Sequence, residues 1–448
     1  MTEPEGWLGD VTLWADLAVW LHRGAVSRMI AFMQSRQITE LASDLAMHEA
    51  AGDYLAVIDG VRELVAKDRA AVKDPWVKGW IGRRWRDLFL QEAVKDDQAV
   101  GVASKPIMLS SLPLPAAFKK SNPRQAIAER FLKDASASEW QAVLPEAQYA
   151  NIENTTLVLC GGLLTGMLHP AAHMFPVEAD RLYKERGWRT LRADSHPVRS
   201  CEANEADLEA AFRGEGLDAL MRPIENPTPP DKVFMLGYSK GTPDILSFMV
   251  HHPEYHDQIK GVFTWAGAVG GSYTADGIYD QIKDLPTEGS YEYISRLLSV
   301  ISPLMLDQVE VLRLDEFDVK GALYDLRTDV RESFINEHSQ YLDGLGIPIF
   351  ALTGATTPLE VPNIQFMDCV RLSSYDANND MQLTQRQAIL PIGMNTHIAM
   401  AHAHHWDIAY APFPIAMRAI TPNLDHSWPR YAALVANWEI LAELALID

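Results

Sequence analysis

The sequence predicts an α/β fold in which a mostly parallel sheet is flanked by helices. From residue 155 onward, short apolar runs alternate with amphipathic segments, a pattern typical of strands that are connected through helices. Segments near VEADRLYKERG and NEADLEAAF, and residues 241–251, supply helices between the strands. We expect five or six strands, formed by TTLVLC, WRTLRAD, KVFMLG, KGVFTWAG, IPIFALTG and HIAMAHA.

Residues 1–150 form a predicted N-terminal helical region. Apolar side chains recur every three or four residues in VTLWADLAVWLHRGAVSRMIAFMQ, and a helix-like stretch, AIAERFLKDASASEW, lies near the end of the region. Pro and Ser interrupt the pattern in SSLPLPAAFKKSNP, residues 110–123, which predicts a linker. Six of the 12 tryptophans lie in the first 100 residues, and we expect them in a helical core rather than facing a membrane or a partner.

An insertion is predicted between the strands KGVFTWAG and IPIFALTG. About 80 residues separate them, too many for an ordinary connection. Helical patterns such as YEYISRLLSVISPLM and DVRESFINEHSQYL fill the interval. We interpret residues 271–345 as a helical cap over the site, inserted between a first part of the core at 151–270 and a second part at 346–448.

Composition argues against several classes of partner. Lys and Arg total 39 against 60 Asp and Glu, so the formal net charge of -21 repels nucleic acid and anionic membrane surfaces. The cysteines Cys160, Cys201 and Cys369 are too few and too scattered for a disulfide framework or a structural zinc site, and we expect buried, reduced thiols. We expect no transmembrane segment, because no apolar run reaches about 18 to 20 residues. The acidic start MTEPEGWLGD is unlike a secretory signal, which predicts a cytoplasmic protein.

A candidate nucleophile lies in KVFMLGYSKGTPDILSFMV. A strand leads directly into Gly237, Ser239 and Gly241, and a helix follows, which is the context that a GxSxG motif requires. The flanking glycines permit a strained turn that exposes the serine hydroxyl at the edge of the sheet. A strand-to-helix turn with a capping serine is the alternative interpretation. Serine at this position, rather than Asp or Cys, favours acyl transfer to water.

The context of Ser239 predicts the α/β-hydrolase fold, in which an acid and a histidine follow the nucleophile along the chain. The candidates after the strand IPIFALTG are His397, His402, His404 and His405, with Asp376 and Asp380. Within them, NNDMQL followed about 25 residues later by HHWDIA resembles the acid and histidine loops of bacterial lipases and esterases. In that family NDG precedes an HLD or HW segment, and the resemblance covers roughly residues 155–415.

The resemblance implies that Asp380 is the acid and His405 the base, with Asp407 two positions further on and Met381 where the family usually has Gly. His405 would take the proton of Ser239 and hand it to the leaving group, while Asp380 orients the imidazole. His404 and Asp376 remain alternatives for the two roles. The histidines are also compatible with structural roles or with a metal site. A second group, His251, His252 and His256, is interpreted as a surface feature at a helix end.

Backbone donors for an oxyanion are predicted in two loops. One donor is the N–H of Lys240, directly after the nucleophile. The second is the N–H of Gly162 or Leu163 in the loop CGGLLTG, where glycines let the backbone approach a substrate carbonyl. A plain glycine-rich turn is the alternative, and the spacing matches neither GxGxxG nor a P-loop.

These features predict a serine hydrolase that cleaves a small carboxylic ester with an apolar acyl group through an acyl-enzyme. The mechanism needs no cofactor, because side chains and backbone donors suffice. A thioesterase, an amidase or an acyltransferase would use the same triad, and a non-catalytic scaffold of the same fold is a further alternative. The N-terminal helices offer a surface through which the chain could form oligomers.

Overall fold

The computed structural model describes residues 35–104, 122–147, 152–163, 173–193, 195–286, 316–421 and 423–447, together with Met33 and Thr165. Most of the predicted linker, Trp7, Trp14 and Trp20, and the cap segment YEYISRLLSVISPLM lie outside the described residues. Within the described residues, no helix combines the length and apolar character that crossing a membrane requires.

The sheet contains six strands, all paired in parallel, in the order β2-β1-β3-β4-β5-β6. Each of the six predicted strands is present, so the predicted fold class is confirmed. The chain passes from β1 outward to β2 and returns to β3 on the other side of β1, which opens a crevice beyond the carboxyl ends of β1 and β3. The strands are β1 (Thr155–Cys160), β2 (Arg189–Arg192), β3 (Lys232–Tyr238), β4 (Ile259–Trp265), β5 (Ile349–Ala355) and β6 (Asn395–His402).

Helices cover both faces of this sheet. The amphipathic segments predicted around residues 176–186, 201–212, 241–251 and 328–344 are all helical. The helices of the described residues are α1 (35–50), α2 (Tyr54–Lys67), α3 (Pro75–Ala93), α4 (Asp97–Ala103), α5 (Pro123–Phe131), α6 (Ala137–Gln141), α7 (Pro176–Arg186), α8 (Cys201–Phe212), α9 (Gly241–His251), α10 (Tyr273–Ile282), α11 (Val319–Asp325), α12 (Thr328–Gly344), α13 (Phe366–Ser373), α14 (Ile415–Ile420) and α15 (Arg430–Glu443).

Neighbouring residues of one strand enter two different hydrophobic cores. In β1, Leu157 and Leu159 belong to a large core, whereas Val158 and Cys160 belong to a smaller one. Because successive side chains of a strand point to opposite faces, the two cores lie on opposite sides of the sheet. The smaller core is completed by α8, α9 and α12, and the larger one by the N-terminal helices and α15. Burial on both faces explains why β1, β3, β4 and β5 are mainly apolar runs.

The N-terminal helix α3 is part of the large core. Asp74 caps this helix by accepting hydrogen bonds from the N–H groups of its first turn, and Pro75 occupies its first position. The helix packs on β6 and on α15. Trp85 is fully buried, stacks on Phe89 and donates from Nε1 to Asn437 of α15 at 2.8 Å. Burial of each such aromatic side chain contributes about 1.5 to 3 kcal/mol. The division into a helical region, a split core and a cap stays a prediction.

One predicted helix is interrupted. The stretch AIAERFLKDASASEW forms α5 and the short helix α6, with residues 132–136 between them outside any helix. There Lys133 donates its backbone N–H to the carbonyl of Met400 at 2.8 Å, and Leu132 forms an antiparallel bridge with Ala401. The backbone therefore exchanges helical hydrogen bonds for bonds to β6, a tertiary effect that helical periodicity does not reveal.

A buried carboxyl on α15 has a shifted pKa. Burial raises the pKa of Glu439 to about 7; Arg186 opposes the rise, and Glu92 and Glu443 add to it. The unfolded chain releases this proton near the ordinary value of 4.5, whereas the folded chain keeps it to about pH 7. Ionisation of Glu439 therefore costs the folded state stability as the pH rises through this window.

Replacing Glu439 with glutamine is expected to raise the free energy of unfolding at pH 8 by roughly 1 to 3 kcal/mol, because the variant carries no buried charge there. Near pH 4.5 the two chains should differ little. Urea unfolding at both pH values measures the difference. The exposed Glu337→Gln is the control and should show no such pH dependence. A Glu439→Gln chain that gains nothing at pH 8 would contradict the assignment.

Candidate active site

Ser239 lies in a left-handed turn between β3 and α9. Its φ is 52°, which is unfavourable for a residue with a side chain and is retained where the surroundings impose it. Three backbone hydrogen bonds do so here: Ser239 donates to the carbonyl of Trp265 at 3.1 Å, and its own carbonyl accepts from Thr242 and Ala268. The turn places Ser239 beyond the carboxyl end of a central strand.

The glycines on either side of this turn have no room for a side chain. A Cβ on Gly237 would lie 2.7 Å from the backbone nitrogen of Thr242. A Cβ on Gly241 would lie 2.2 Å from the carbonyl oxygen of Cys160 at the end of β1. Both contacts are with backbone, so a side chain could be accommodated only if α9 moved away from the sheet. The structure thus requires the GxSxG pattern for packing.

His405 and Asp380 form a buried pair. The Nδ1 of His405 lies 2.8 Å from Oδ2 of Asp380, and the backbone N–H of His405 donates to the carbonyl of Asp380, also at 2.8 Å. The other carboxylate oxygen of Asp380 accepts from the N–H groups of Gln382 and Leu383. Because a carboxylate oxygen only accepts, Nδ1 of His405 carries a proton and Nε2 is left as an acceptor.

The Nε2 atom of His405 is buried and has no hydrogen-bond partner among the described residues. His405 and Ser239 line the same cavity, although no hydrogen bond joins them. An unpartnered acceptor in a cavity that a serine also lines is compatible with general-base catalysis, since catalytic hydrogen bonds are often long without substrate.

Other candidate side chains have different partners. The Nε2 of His404 lies 2.7 Å from the carbonyl of Asn423, His397 contacts Thr353, and His402 pairs with Glu360. Asp376 is half-buried, and its side chain accepts from the N–H of Asn378 in its own loop. The structure therefore pairs His405 with Asp380. The alternatives His404 and Asp376 each have a different hydrogen-bond partner.

Met381 occupies the position where the bacterial lipases and esterases that this segment resembles usually have glycine. Its φ is 78° and it is fully buried, so the left-handed turn is kept although the residue has a side chain. Asn379 supports the turn, because its side-chain oxygen accepts from the N–H of Met381 at 3.2 Å. Such a conformation costs a non-glycine residue on the order of 1 kcal/mol. The departure from the family's motif thus leaves the geometry of the acid loop intact.

The histidine loop has an additional support that sequence reasoning missed. Tyr238, the residue before Ser239, donates its hydroxyl hydrogen bond to the backbone carbonyl of His405 at 2.9 Å, and its ring lies 4.9 Å from the imidazole. Tyr238 therefore ties the nucleophile turn to the histidine loop. The position is variable by definition in GxSxG, so the motif contains no signal for this contact.

The two predicted oxyanion loops meet at Ser239. Cys160 of β1 pairs with Gly237 of β3, which places the loop after β1 beside the nucleophile turn. A Cβ on Gly162 would lie 2.8 Å from the Cβ of Ser239, and Leu163 lines the cavity. Lys240 directly precedes α9. The positive end of this helix favours negative charge at the same place.

The cavity has a volume of about 130 Å³ and is mainly apolar. Among the described residues, no Asp, Glu, Lys or Arg side chain lines it. Such walls favour an uncharged ligand. Its lining residues are Leu163, Tyr238, Ser239, Ala268, Ser272, Thr274, Ala275, Ile278, Leu323, Leu326, Gln365, Gln382, Leu383, His405, Trp406 and Tyr410.

The remaining candidates lie away from this cavity. Within the described ranges, no group of three or more His, Cys, Asp or Glu side chains is arranged to hold a metal ion. His251 ends α9 and contacts Glu205 at 2.7 Å, while His252 stacks on Phe248. The three cysteines are buried and unpaired, as expected.

Comparison with solved structures places this arrangement in a known architecture. The structure of a metagenomic carboxyl esterase is similar to this one. The match covers 81% of this chain and 92% of the esterase chain, with a TM-score of 0.56 and 18% sequence identity. The chain has the α/β-hydrolase fold. In the α/β-hydrolase fold a nucleophile follows a central strand, and Ser239 has that position here. This confirms the fold that was predicted from the segment GYSKG.

Two weaker similarities are to lipases. The mature lipase of Bacillus licheniformis matches 56% of this chain and 84% of its own, with a TM-score of 0.38 and 20% identity. Lipase 1 of Pelosinus fermentans matches 64% of this chain and 98% of its own, with a TM-score of 0.41 and 14% identity. No family model and no curated protein sequence matches the chain. The similarity to the metagenomic carboxyl esterase is therefore one of fold, at 18% sequence identity.

Proposed function

We propose that the chain is a serine hydrolase that cleaves carboxylic esters through an acyl-enzyme. The observation that carries the proposal is the pairing of His405 Nδ1 with Asp380, which leaves the unpartnered Nε2 of His405 in the cavity that Ser239 lines. The similar solved structure with a TM-score of 0.56 is named a carboxyl esterase, which agrees with this chemistry.

In the first half of the proposed reaction, Oγ of Ser239 bonds to the ester carbonyl carbon while Nε2 of His405 accepts the hydroxyl proton. The carbonyl electron pair moves onto oxygen and forms an oxyanion. When the tetrahedral intermediate collapses, the bond to the alcohol oxygen breaks, and this oxygen takes the proton from His405. The acyl group is then held as an ester of Ser239.

Water completes the second half. Nε2 of His405 accepts a proton from water as the water oxygen bonds to the acyl carbon, and a second oxyanion forms. Collapse breaks the bond to Oγ of Ser239, which recovers the proton from His405, and the carboxylic acid leaves. Throughout, Asp380 stays ionised and stabilises the imidazolium through Nδ1.

The N–H groups of Lys240 and of Gly162 or Leu163 are proposed to hydrogen-bond the oxyanion. Their loops flank Ser239 on the two sides described above, and no described residue accepts a hydrogen bond from the Lys240 N–H. Donors fixed in advance stabilise charge that develops in the transition state without reorganisation. We assign the apolar cavity to the acyl group, because its walls have no charged side chain among the described residues.

The experiment that tests the proposal combines turnover with covalent labelling. The wild type is expected to hydrolyse p-nitrophenyl esters and to react with a fluorophosphonate, whose phosphorus bonds to Oγ of Ser239 as fluoride leaves. Mass spectrometry should locate the label on the peptide that contains Ser239. Ser239→Ala should lose both turnover and label, because no nucleophile remains.

Ser374→Ala provides the matched control, since Ser374 is an exposed serine whose hydroxyl donates to the carbonyl of Arg371. That variant should keep turnover and label. A folded wild type with neither turnover nor label, or a label on another residue, would contradict the proposal. Rates on an ester, a thioester and an amide of one acyl group then compare the leaving groups directly.

A further inference from the structure

The side chain of Lys240 points away from the cavity into the protein. Lys240 is fully buried, and its Nζ lies 2.7 Å from Oδ1 of Asp244, one helical turn further along α9. Asp244 is buried to the same degree. Burial lowers the pKa of Lys240, but the Asp244 carboxylate more than offsets this, so the pKa lies above its ordinary value and the ammonium keeps its charge.

The pair is anchored to a second element. The other carboxylate oxygen of Asp244 accepts from Nδ2 of Asn204, a fully buried residue of α8, at 3.0 Å. Asn204 in turn bonds to both backbone groups of His196, in the loop between β2 and α8: its Nδ2 donates to the carbonyl and its Oδ1 accepts from the N–H. The side chain of Lys240 is thus connected to the backbone of a separate loop through the hydrogen-bonded side chains of Asp244 and Asn204.

A buried ion pair contributes little net free energy to stability, because the cost of desolvating the two charges opposes their attraction. The peptide to which this pair is attached is the one whose N–H is proposed to bind the oxyanion. Two restraints act on Lys240. The strained turn at Ser239 fixes its backbone, and the hydrogen bond from its Nζ to Asp244 fixes the end of its side chain. Because the side chain is fully buried, rotation of the Lys240 peptide would require that side chain to repack or to give up the bond.

We propose that Lys240 and Asp244, braced by Asn204, are positioning residues that hold the Lys240 N–H toward the oxyanion. The inference rests on the proposed function for its catalytic consequence, but the rigidity of the turn is a property of the fold. It assigns a role to the side chain at the position after the nucleophile, beyond the backbone donor that any residue there supplies.

The test measures both consequences on the full chain. Lys240→Met is expected to lower kcat for a p-nitrophenyl ester about 10- to 100-fold, with KM within about threefold, since a misplaced donor weakens transition-state binding selectively. Affinity for a trifluoromethyl ketone, which forms an oxyanion on Ser239, should fall by a similar factor. Hydrogen exchange of the peptide that spans Ser239 and Lys240 should quicken about tenfold or more.

Two further variants separate positioning from general stability. Arg84→Met breaks another buried ion pair, remote from the turn, and should leave exchange at the turn and kcat per folded molecule unchanged. Lys240→Met/Asp244→Asn removes both charges and keeps a partner for Asn204, so its stability should recover while kcat stays low. Recovery of kcat in this double variant, or unchanged exchange at the turn in Lys240→Met, would overturn the inference. A wild type without turnover would refute the proposed function, whereas the exchange result would still decide the positioning role.

Discussion

Replacing Asp380 with asparagine is expected to lower kcat for ester hydrolysis by on the order of 10⁴-fold, with the fold intact. An amide at this position can donate a hydrogen bond to Nδ1 of His405, which favours the tautomer that carries its proton on Nε2. That tautomer cannot accept the proton of Ser239. Steady-state kinetics at neutral pH, with circular dichroism as a check of folding, measures the effect.

Asp376→Asn is the matched control for this substitution. Asp376 lies in the same loop, is half-buried and accepts from a backbone N–H, a role that an asparagine oxygen also fills. Its kcat should stay within about twofold of the wild type, as expected for a surface change away from the site. If Asp376→Asn were the damaging change and Asp380→Asn were harmless, the acid would have to be reassigned.

The largest expected loss of stability follows from Arg84→Met. Arg84 is fully buried on α3 and donates from Nε to Glu443 of α15 at 2.8 Å and from Nη1 to Asp87 at 2.6 Å. Methionine would leave two buried carboxyl groups without this partner, which costs about 3 to 5 kcal/mol. The midpoint of urea unfolding at neutral pH should fall accordingly.

The neighbouring Arg83 provides the comparison. Arg83 pairs with Glu49 through two hydrogen bonds, but its side chain is 33% exposed and that of Glu49 is 22% exposed. Arg83→Met should therefore cost less than about 1 kcal/mol. Arg84→Met/Glu443→Met should be more stable than Arg84→Met alone, because one uncompensated charge is removed. Equal losses for Arg83→Met and Arg84→Met would show that burial of the pair has no special cost.

The sheet could be predicted from the sequence because its strands are buried on both faces. The strands β1, β3, β4 and β5 are mainly apolar runs, and helical segments separate the strands along the chain. The helix predicted across residues 132–136 was wrong because hydrogen bonds to β6 replace helical ones there. The strand that supplies these competing hydrogen bonds is more than 260 residues away in the sequence, so the local pattern contains no signal of them.

The nucleophile turn also belongs to the part that the sequence determined. Gly237 and Gly241 are required by contacts with the backbone of adjacent elements, and a strand and a helix of matching pattern surround them. The acid and the base were assigned by a family resemblance, from among four histidines and two aspartates. Residue types alone could not choose between His404 and His405, which are adjacent in the sequence; their partners in the structure differ, Asn423 for His404 and Asp380 for His405.

Local periodicity and the demands of the tight turn at Ser239 thus determined, by themselves, the order of the strands and helices along the chain and the place of the candidate nucleophile. The tertiary structure decided the pairing of His405 with Asp380, the contact of Tyr238 with the histidine loop and the path of Lys240 to Asp244. It also decided that α3 packs in the same core as α15. The physical reason is that backbone preferences and apolar periodicity act over a few residues, whereas the partner of a buried polar group is whichever complementary group the packed elements bring within about 3 Å.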